Sequence, residues 1–334
     1  MRPAMRIATL FMLLSPALAA QAANDPAAAL ARLAPGEWLE YRVEANDPRH
    51  VPCCFDWDGR RKGERVCRLK DGMRNFGTSS EDPPPPPGEG LRVLLRRGPE
   101  SYDRAMGIGT SCAVDPQGLK VVTLGDVDAD ASVRLLAQGA AAKTGDKRGM
   151  SLHALAQHAG DTATTALASL AKDAPSRDVR RDAYFWLAEE RGVAGYEVVS
   201  AALASEQGED LRKHLVFCLS ESGAPGAKEE LMRMAKAHPD DDVRGEALFW
   251  ISQRKLDGAE AVISNAVDHD ASRAVRKKAV FALSQLPHDR AIPALRALVE
   301  SDRPREIRKE ALFWLAQTND DEVLPVFDEL LSPD

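Results

Sequence analysis

The second half of the chain repeats one pattern of apolar and charged positions every 32 residues. In the first clear copy, Val179, Ala183, Trp186 and Leu187 fall on one face of a helix with a period of 3.6 residues. A second stretch with helical periodicity follows after a short break such as ERGVAG or LPHDRA. Each copy therefore predicts two helices joined by a short turn.

Five copies of the first helix align without a gap. They read DVRRDAYFWL, DLRKHLVFCL, DVRGEALFWI, AVRKKAVFAL and EIRKEALFWL, and begin at Asp178, Asp210, Asp242, Ala274 and Glu306. A weaker copy, DKRGMSLHAL, begins at Asp146, as expected for a terminal repeat. One such hairpin cannot bury its own apolar stripe, so neighbouring hairpins must stack. We predict an α-solenoid of about six hairpins over residues 146–334.

The repeated pattern xVRxxAxxxL, followed by a second helix, resembles the HEAT repeat family. The 32-residue spacing is similar to the short HEAT-like variant of that family. The resemblance covers residues 146–334 and leaves the first third of the chain unexplained. It implies a scaffold with binding surfaces, and it gives a class of protein without naming a partner.

An arginine directly follows the first apolar residue of each full copy. These residues are Arg180, Arg212, Arg244, Arg276 and Arg308. The family resemblance implies a ladder of ion pairs between copies, which suits the planar guanidinium group. The predicted partners are acids such as Asp178, Asp210, Asp242 and Glu306. The alternative is a basic stripe that binds an acidic partner.

Basic residues are concentrated in the last two copies. They are Arg276, Lys277, Lys278, Arg303, Arg305, Arg308 and Lys309. Among these, Arg276, Lys277, Arg308 and Lys309 are candidate protein-binding residues. A solvated helix face is the common explanation of such a run, and both interpretations stay open at this point.

A phenylalanine recurs six residues after the first apolar position of each full copy. These candidate protein-binding residues are Phe185, Phe217, Phe249, Phe281 and Phe313. On a helix this position lies about 145° from the centre of the apolar stripe. Two interpretations are open. The rings pack laterally between the first helices of adjacent copies, or they form an apolar ladder that docks a partner or the N-terminal domain.

The residue after each phenylalanine alternates between large and small side chains. The sequence of residues is Trp186, Cys218, Trp250, Ala282 and Trp314. Because this position falls on the predicted stripe, we expect the tryptophans in the core, where large and small side chains fill space together. Cys218 is predicted to be a buried, unpaired thiol rather than a nucleophile.

The first third of the chain predicts a different fold. Runs with strand character are EWLEYRVEA, VPCCFDW, RVCRLK, LRVLLRR and LKVVTLGDV, and PPPPP at 83–87 predicts an extended loop. We predict a small antiparallel β domain over residues 24–128, followed by a connecting helix or linker at 129–145. The whole chain is thus predicted to be an α+β protein.

Four of the five cysteines lie in the predicted β domain. In an exported chain, an even set of cysteines indicates disulfides. In a hairpin around the turn DGRRKG, Cys54 faces Cys67, and Cys53 points to the other side and meets Cys112. We predict the pairs Cys54–Cys67 and Cys53–Cys112. The swapped pairing, Cys53–Cys67 with Cys54–Cys112, stays open.

The first 22 residues are typical of a cleavable signal peptide. Arg2 and Arg6 flank the start of a short apolar run, and small residues follow it. Cleavage leaves 42 basic and 51 acidic side chains, a net charge of −9. We expect a periplasmic or secreted mature chain without membrane insertion. Nucleic acid is not expected as a partner, because phosphate binding requires a basic surface.

The sequence carries no recognisable catalytic or metal motif. GxSxG, HExxH, CxxC and the phosphate-loop pattern do not occur. We therefore predict no enzyme activity, no cofactor and no metal, and expect a scaffold or adaptor of the cell envelope that binds an unknown protein or peptide. The alternatives are a structural protein that self-associates through the phenylalanines, or a HEAT-like accessory protein of a lyase-type enzyme.

Overall fold

The computed structural model describes residues 24–54, 66–70, 76–77, 90–142 and 148–318. Four predicted features lie outside these residues. They are the signal peptide at 1–22, the turn DGRRKG at 58–63, the polyproline loop at 83–87 and the second helix of the last hairpin.

The described part of the first third contains eight strands. They are β1 (Trp38–Val43), β2 (Cys53–Cys54), β3 (Val66–Arg68), β4 (Phe76–Gly77), β5 (Leu91–Arg97), β6 (Tyr102–Gly109), β7 (Ala113–Asp115) and β8 (Val121–Asp126). The main sheet has the order β6-β5-β1-β8. Its central strand β1 alternates buried and more exposed positions at its C-terminal end, and Trp38, Leu39 and Tyr41 are fully buried.

The sheet is mixed, which differs from the purely antiparallel sheet that we predicted. Strand β8 runs parallel to β1, and β3 runs parallel to β7. Parallel neighbours need a long crossover connection, and the chain between β1 and β8 is long enough to supply one. The sequence analysis did not predict the strand at Tyr102–Gly109. Glycine has low β propensity, and apolar and charged residues do not alternate along this segment.

The first compact unit spans Met1–Arg180, and its described residues include four complete helices besides the strands. They are α1 (Pro26–Ala31), α2 (Ala129–Ala141), α3 (Arg148–Ala156) and α4 (Asp161–Asp173). Helix α2 begins at the cap residue Asp128, whose carboxylate accepts a hydrogen bond from the Ala131 amide. The predicted linker at 129–145 therefore contains a helix with a buried face, within the same unit as the sheet.

Helices α2 and α3 pack closely against the sheet because small residues lie at the contacts. A Cβ atom at Gly107 on β6 would lie 3.0 Å from the Cα atom of Ala154. A Cβ atom at Gly139 would overlap the ring of Tyr102, whose hydroxyl donates to the Leu136 carbonyl at 3.0 Å. A larger residue at Gly139 would therefore displace the Tyr102 side chain, and one at Gly107 would crowd Ala154. The predicted domain boundaries themselves stay a prediction.

The second compact unit spans Arg181–Asp334. Nine helices lie in or extend into its described residues. They are α5 (Arg177–Glu190), α6 (Gly192–Ser205), α7 (Glu209–Glu221), α8 (Ala227–Ala237), α9 (Asp241–Gln253), α10 (Ala259–His269), α11 (Arg273–Ser284), α12 (His288–Val299) and α13 (Arg305–Ala316). The first helices α5, α7, α9, α11 and α13 begin at intervals of 32 residues, which confirms the predicted solenoid of helical hairpins.

The core of this unit lies along one stripe of each first helix. In α9 the stripe consists of Val243, Ala247, Leu248 and Ile251, all fully buried. These helices pack on the second helices and on the first helices of neighbouring copies, as α9 does on α8 and α11. Burial of such apolar stripes is the main stabilising contribution of a repeat array.

Candidate functional site

Five phenylalanines and three tryptophans form one continuous line of ring contacts along the first helices of the second unit. We call this line the aromatic row; it consists of Phe185, Trp186, Phe217, Phe249, Trp250, Phe281, Phe313 and Trp314. The phenylalanines therefore pack laterally between the first helices of adjacent copies, which is the first of the two interpretations given above. The rings still leave part of their surface exposed.

The contacts between copies alternate between two geometries. Phe185 stacks on Phe217 with ring centroids 5.8 Å apart. The next step is different, because Phe217 contacts Trp250 at 4.8 Å in a tilted arrangement. The same two geometries then recur two copies later, with Phe249 stacked on Phe281 at 5.6 Å. Both offset-stacked and tilted pairs are favourable for aromatic rings.

Small residues between the tryptophans explain this alternation. Trp250 reaches over Phe217, in a copy where Cys218 replaces tryptophan and is fully buried. Trp314 reaches over Phe281 at 4.5 Å, in a copy where Ala282 is fully buried. A tryptophan in every copy would place two indoles in the same seam. The alternation therefore fits the space between copies.

The prediction that the tryptophans belong to the core is wrong. Trp250 and Trp314 are half-buried, and each indole nitrogen donates to a glutamate four residues earlier, Glu246 at 2.9 Å and Glu310 at 3.1 Å. The core stripe instead includes the residue before each of the first four phenylalanines, such as Leu248. Trp250 contacts Phe217 of the preceding copy, so its side chain lies at the edge of the core and not within it.

Exposure along the row increases at its C-terminal end. The first four phenylalanines are half-buried, whereas Phe313 keeps 54% of its surface exposed. Phe313 contacts Trp314 of its own helix at 5.0 Å. It is one of two large hydrophobic residues exposed to this degree in the described part of the chain, and the other is Val193 on α6.

Three of the five recurring arginines cap the preceding second helix. The Nη1 atoms of Arg180, Arg244 and Arg276 donate to the carbonyls of Ala174, His238 and Asp270 at 2.6, 2.7 and 2.7 Å. Each of these carbonyls belongs to the C-cap residue of a helix. A cation at this position satisfies a carbonyl that has no helical partner and complements the helix dipole.

Two of the five recurring arginines, Arg212 and Arg244, form ion pairs with acids of the following loop. Arg212 lies 3.2 Å from Asp240, and Arg244 binds Asp270 through two hydrogen bonds of 2.8 and 3.0 Å. These partners, Asp240 and Asp270, differ from the acids that we predicted. They lie in the loops between copies, whereas the predicted acids lie on the first helices. Asp242 instead lies 3.1 Å from Lys278.

The other basic residues of the last two copies divide into two groups. Lys277 forms an ion pair with Glu310 at 2.8 Å, between copies. Arg308 and Lys309 are exposed on α13. The described structure thus brings Lys277 into the polar border of the aromatic row through Glu310, which also binds Trp314.

The Cys218 thiol is not activated by its neighbour His214. The Nε2 atom of His214 lies 2.8 Å from the Arg181 carbonyl, to which it must donate, and 3.4 Å from the Cys218 sulfur. A protonated Nε2 cannot accept the thiol proton. Burial also raises the pKa of Cys218. As predicted, the thiol is buried and free of disulfide bonding.

The first unit contains the two disulfides. Cys53 is bonded to Cys112, and Cys54 to Cys67, with Cα atoms 5.9 and 5.0 Å apart. These are the pairs that the sequence favoured, although the described strands β2 and β3 do not pair with each other and the turn DGRRKG lies outside the described residues. Strand β2 pairs with β4, and β3 pairs with β7. The cysteines join a core that includes Trp38.

Sequence reasoning missed a buried chain of three polar side chains in the first unit. The Tyr41 hydroxyl lies 2.8 Å from the Ser132 hydroxyl, which lies 2.8 Å from Nε2 of His158. Nδ1 of His158 donates to the Ala154 carbonyl at 2.7 Å. Nε2 is therefore the acceptor, and Ser132 donates to it. All three side chains are fully buried, so this chain of bonds joins the sheet to α2 and α3.

No group of three or more His, Cys, Asp or Glu side chains in the described part of the chain is arranged to hold a metal ion. The helices of that part include none with the length and apolar character required to cross a membrane.

The chain is similar to known proteins in its helical part. Residues 259–334 match the family model for HEAT repeats. No curated protein sequence matches the chain. The solved structures that match include E. coli YibA, with 21% identity over 60% of this chain and 75% of that chain, and a TM-score of 0.33.

A second solved structure is human deoxyhypusine hydroxylase in complex with glycerol. It is 15% identical to this chain over 62% of this chain and 92% of the other, with a TM-score of 0.30. The family match and the 32-residue spacing of the first helices agree with one another. Residues 259–334 therefore match HEAT repeats, and the same 32-residue spacing of first helices extends back to α5.

Proposed function

We propose that this protein is a non-catalytic scaffold of the cell envelope that binds a partner protein through the aromatic row. The observation that carries this proposal is the continuous, partly exposed line of rings from Phe185 to Phe313. Contiguous apolar surface on a soluble domain is typical of an interaction site. The repeat fold supports this function because it presents such a surface without needing a pocket.

The surroundings of the row resemble those of protein interfaces. Aromatic rings at the centre are bordered by charged pairs, such as Lys277 with Glu310, and by the acids that bind the indole nitrogens. An apolar centre with a polar rim is the usual arrangement at a protein–protein interface. Partly buried aromatic residues are also frequent among the residues that contribute most binding energy.

The envelope location is part of the proposal. It is supported by the signal-like residues 1–22 and by the two disulfides, which form and persist in oxidising compartments such as the periplasm. Fusion of alkaline phosphatase to the C-terminus tests the location, because that enzyme is active only after export. An inactive fusion would place the protein in the cytoplasm.

Site-specific photo-crosslinking tests the binding face. A benzoyl-phenylalanine replaces Phe313 in living cells, and the matched control carries the same group at Val193, which is 53% exposed but lies away from the row. We expect a discrete adduct with another protein from position 313 and none from position 193.

The adducts distinguish the proposed function from its alternative. An adduct containing only copies of this chain would indicate self-association through the row. Adducts of equal yield from both positions would indicate nonspecific contact. The substitution Phe313→Glu should abolish partner capture by crosslinkers placed at Phe185 while helical circular dichroism stays unchanged; retention of capture would show that the row is not the binding face.

A further inference from the structure

A cavity lies between helix α8 and the turn after α9. The cavity has a volume of about 620 Å³. We call it the basic groove. It is lined by Lys228, Glu229, Met232, Arg233, Lys236, Arg254, Lys255, Leu256 and Asp257. Five of these side chains are cationic and two are anionic, in a chain whose net charge is −7.

Two of the five cations are already paired. Arg233 binds Glu230 at 2.7 Å through Nε, and Arg254 forms an ion pair with Glu221. The ammonium groups of Lys228, Lys236 and Lys255 are exposed, and none of them has an ion-pair or hydrogen-bond partner among the residues that the structure describes. These three lysines lie beside two lining acids, Glu229 and Asp257, so the groove keeps a small excess of positive charge.

Lys255 has a backbone conformation that is unusual for a residue other than glycine. Lys255 has a φ of 50°, in the left-handed region where glycine is the usual residue. Its amide donates to the Ser252 carbonyl at 3.0 Å, and the Leu256 amide donates to the Ile251 carbonyl at 3.1 Å. These two bonds form a Schellman motif at the end of α9. The chain thus places a lysine at this turn where glycine would be less strained.

The middle of the groove is apolar. Met232 on α8 and Leu256 in the turn are half-buried side chains that lie among the cations. A methionine can adapt its shape to different partners. The surface therefore combines one apolar contact with a cationic border.

From these features we infer that the basic groove binds an acidic peptide segment of a partner protein, with one apolar side chain between Met232 and Leu256. Lys228 and Lys236 are separated by about 12 Å along the helix axis, given a rise of 1.5 Å per residue. A single phosphate group cannot contact both, whereas successive carboxylates of an extended peptide can. This site is distinct from the aromatic row, so it adds a second contact of defined chemistry.

Fluorescence anisotropy of the full mature chain tests the inference. The probe is a fluorescein-labelled peptide of glutamates around one central leucine, and its control has glutamine in place of glutamate. We expect the glutamate peptide to bind and its affinity to fall as salt rises. In the variant Lys236→Glu/Lys255→Glu, affinity should fall about tenfold, since two exposed charge pairs are replaced by repulsion.

A matched variant controls for net charge. Lys172→Glu/Arg305→Glu changes the same number of exposed cations outside the groove and should leave affinity unchanged. Lys255→Gly removes one cation at a position that favours glycine, so it should weaken binding about threefold without lowering the unfolding midpoint.

Several results would overturn the inference. They are no binding of the glutamate peptide by the wild type, equal weakening in both double variants, or equal binding of the glutamine peptide. Tight binding of inorganic polyphosphate with no binding of the peptide would show that the groove recognises phosphate anions instead. Loss of peptide binding in Phe313→Glu would show that the peptide binds the aromatic row rather than the groove.

Discussion

The ring of Phe249 stacks on the ring of Phe281 with centroids 5.6 Å apart and planes only 4° from parallel. The two residues stand at the same position of adjacent copies, 32 residues apart. Phe281 also contacts Trp314 in the following copy at 4.5 Å. One phenylalanine thus joins three successive first helices, and the row contributes to the cohesion of the repeats as well as to their surface.

The first prediction follows from this double contact. Phe281→Ala removes ring contacts on both sides and should lower the free energy of unfolding by about 2 kcal/mol, below the cost for a fully buried phenylalanine. Phe313→Ala removes a ring that is 54% exposed, so its cost should be below about 1 kcal/mol. Urea denaturation followed by circular dichroism measures both. Equal costs for the two variants would contradict the inferred cohesion.

The second prediction concerns Arg244. Its guanidinium group binds Asp270 in a bidentate pair whose side chains are 11% and 8% exposed, and it also caps the His238 carbonyl. Arg244→Ala leaves the Asp270 carboxylate without this partner and should cost about 3 kcal/mol of unfolding free energy. The exposed Arg308, at the same position of the repeat, is the matched control. Arg308→Ala should change stability by less than about 0.5 kcal/mol.

A double-mutant cycle separates the ion pair from the cap. Arg244→Ala and Asp270→Ala should couple, because each single variant leaves a nearly buried charge whose cost disappears when both are removed. Additive costs would show that Arg244 acts through the carbonyl cap alone. The measurement is the denaturant midpoint of the four proteins.

The third prediction ranks the two disulfides of the first unit. Cys53–Cys112 closes a separation of 59 residues, and Cys54–Cys67 one of 13. The loop-entropy model gives about 4 and about 3 kcal/mol for their respective contributions to stability. Paired Cys→Ser variants should therefore destabilise strand β1 in that order, as measured by amide hydrogen exchange. Exchange in helix α9 is the internal control and should not change. The reverse ranking would contradict the model.

The repeat could be predicted from the sequence because it is written five times. One apolar stripe alone leaves the first residue of a helix uncertain by one position. The recurrence of Arg244 and its equivalents every 32 residues removed that uncertainty for each first helix. The acid partners were not predictable in the same way. Asp240 and Asp270 lie in inter-repeat loops, and their distance from the arginines depends on how the chain turns between helices.

Burial of the tryptophans was predicted wrongly for a related reason. Helical geometry places Trp250 on the stripe of its own hairpin, whereas its ring lies over Phe217 of the preceding copy. The space beside Phe217 exists only because Cys218 is small. The contact between Trp250 and Phe217 joins side chains of two different copies, so the helical periodicity within one copy cannot predict it.

The first unit shows how a long-range contact escapes sequence analysis. The chain of hydrogen bonds from Tyr41 through Ser132 to His158 involves three common residue types without a motif. The cysteine pairs were predictable only in part. Proximity of Cys54 to Cys67 followed from the short spacing, but the strand partners Phe76–Gly77 and Ala113–Asp115 are distant from the cysteines in the sequence.

The fourth prediction concerns pH. Burial lowers the pKa of His153 in α3 to about 4, from an ordinary value of 6.5, because the charged imidazolium would lose its hydration. The unfolded chain therefore binds more protons than the folded one between these two values. Stability due to the neutral imidazole is complete above pH 6.5 and is lost as pH falls toward 4. The expected loss across this window is about 3 kcal/mol.

The variant His153→Gln removes this titrating group and isolates its effect. It should be less stable than the wild type at neutral pH, because a well-packed side chain is replaced, but its stability should decline less as pH falls from 6.5 to 4. The matched control His288→Gln changes an exposed histidine and should follow the wild-type pH profile. Urea midpoints across the window measure all three proteins. A parallel decline in wild type and His153→Gln would show that other groups cause the acid sensitivity, since the buried imidazole would then contribute no proton uptake on unfolding.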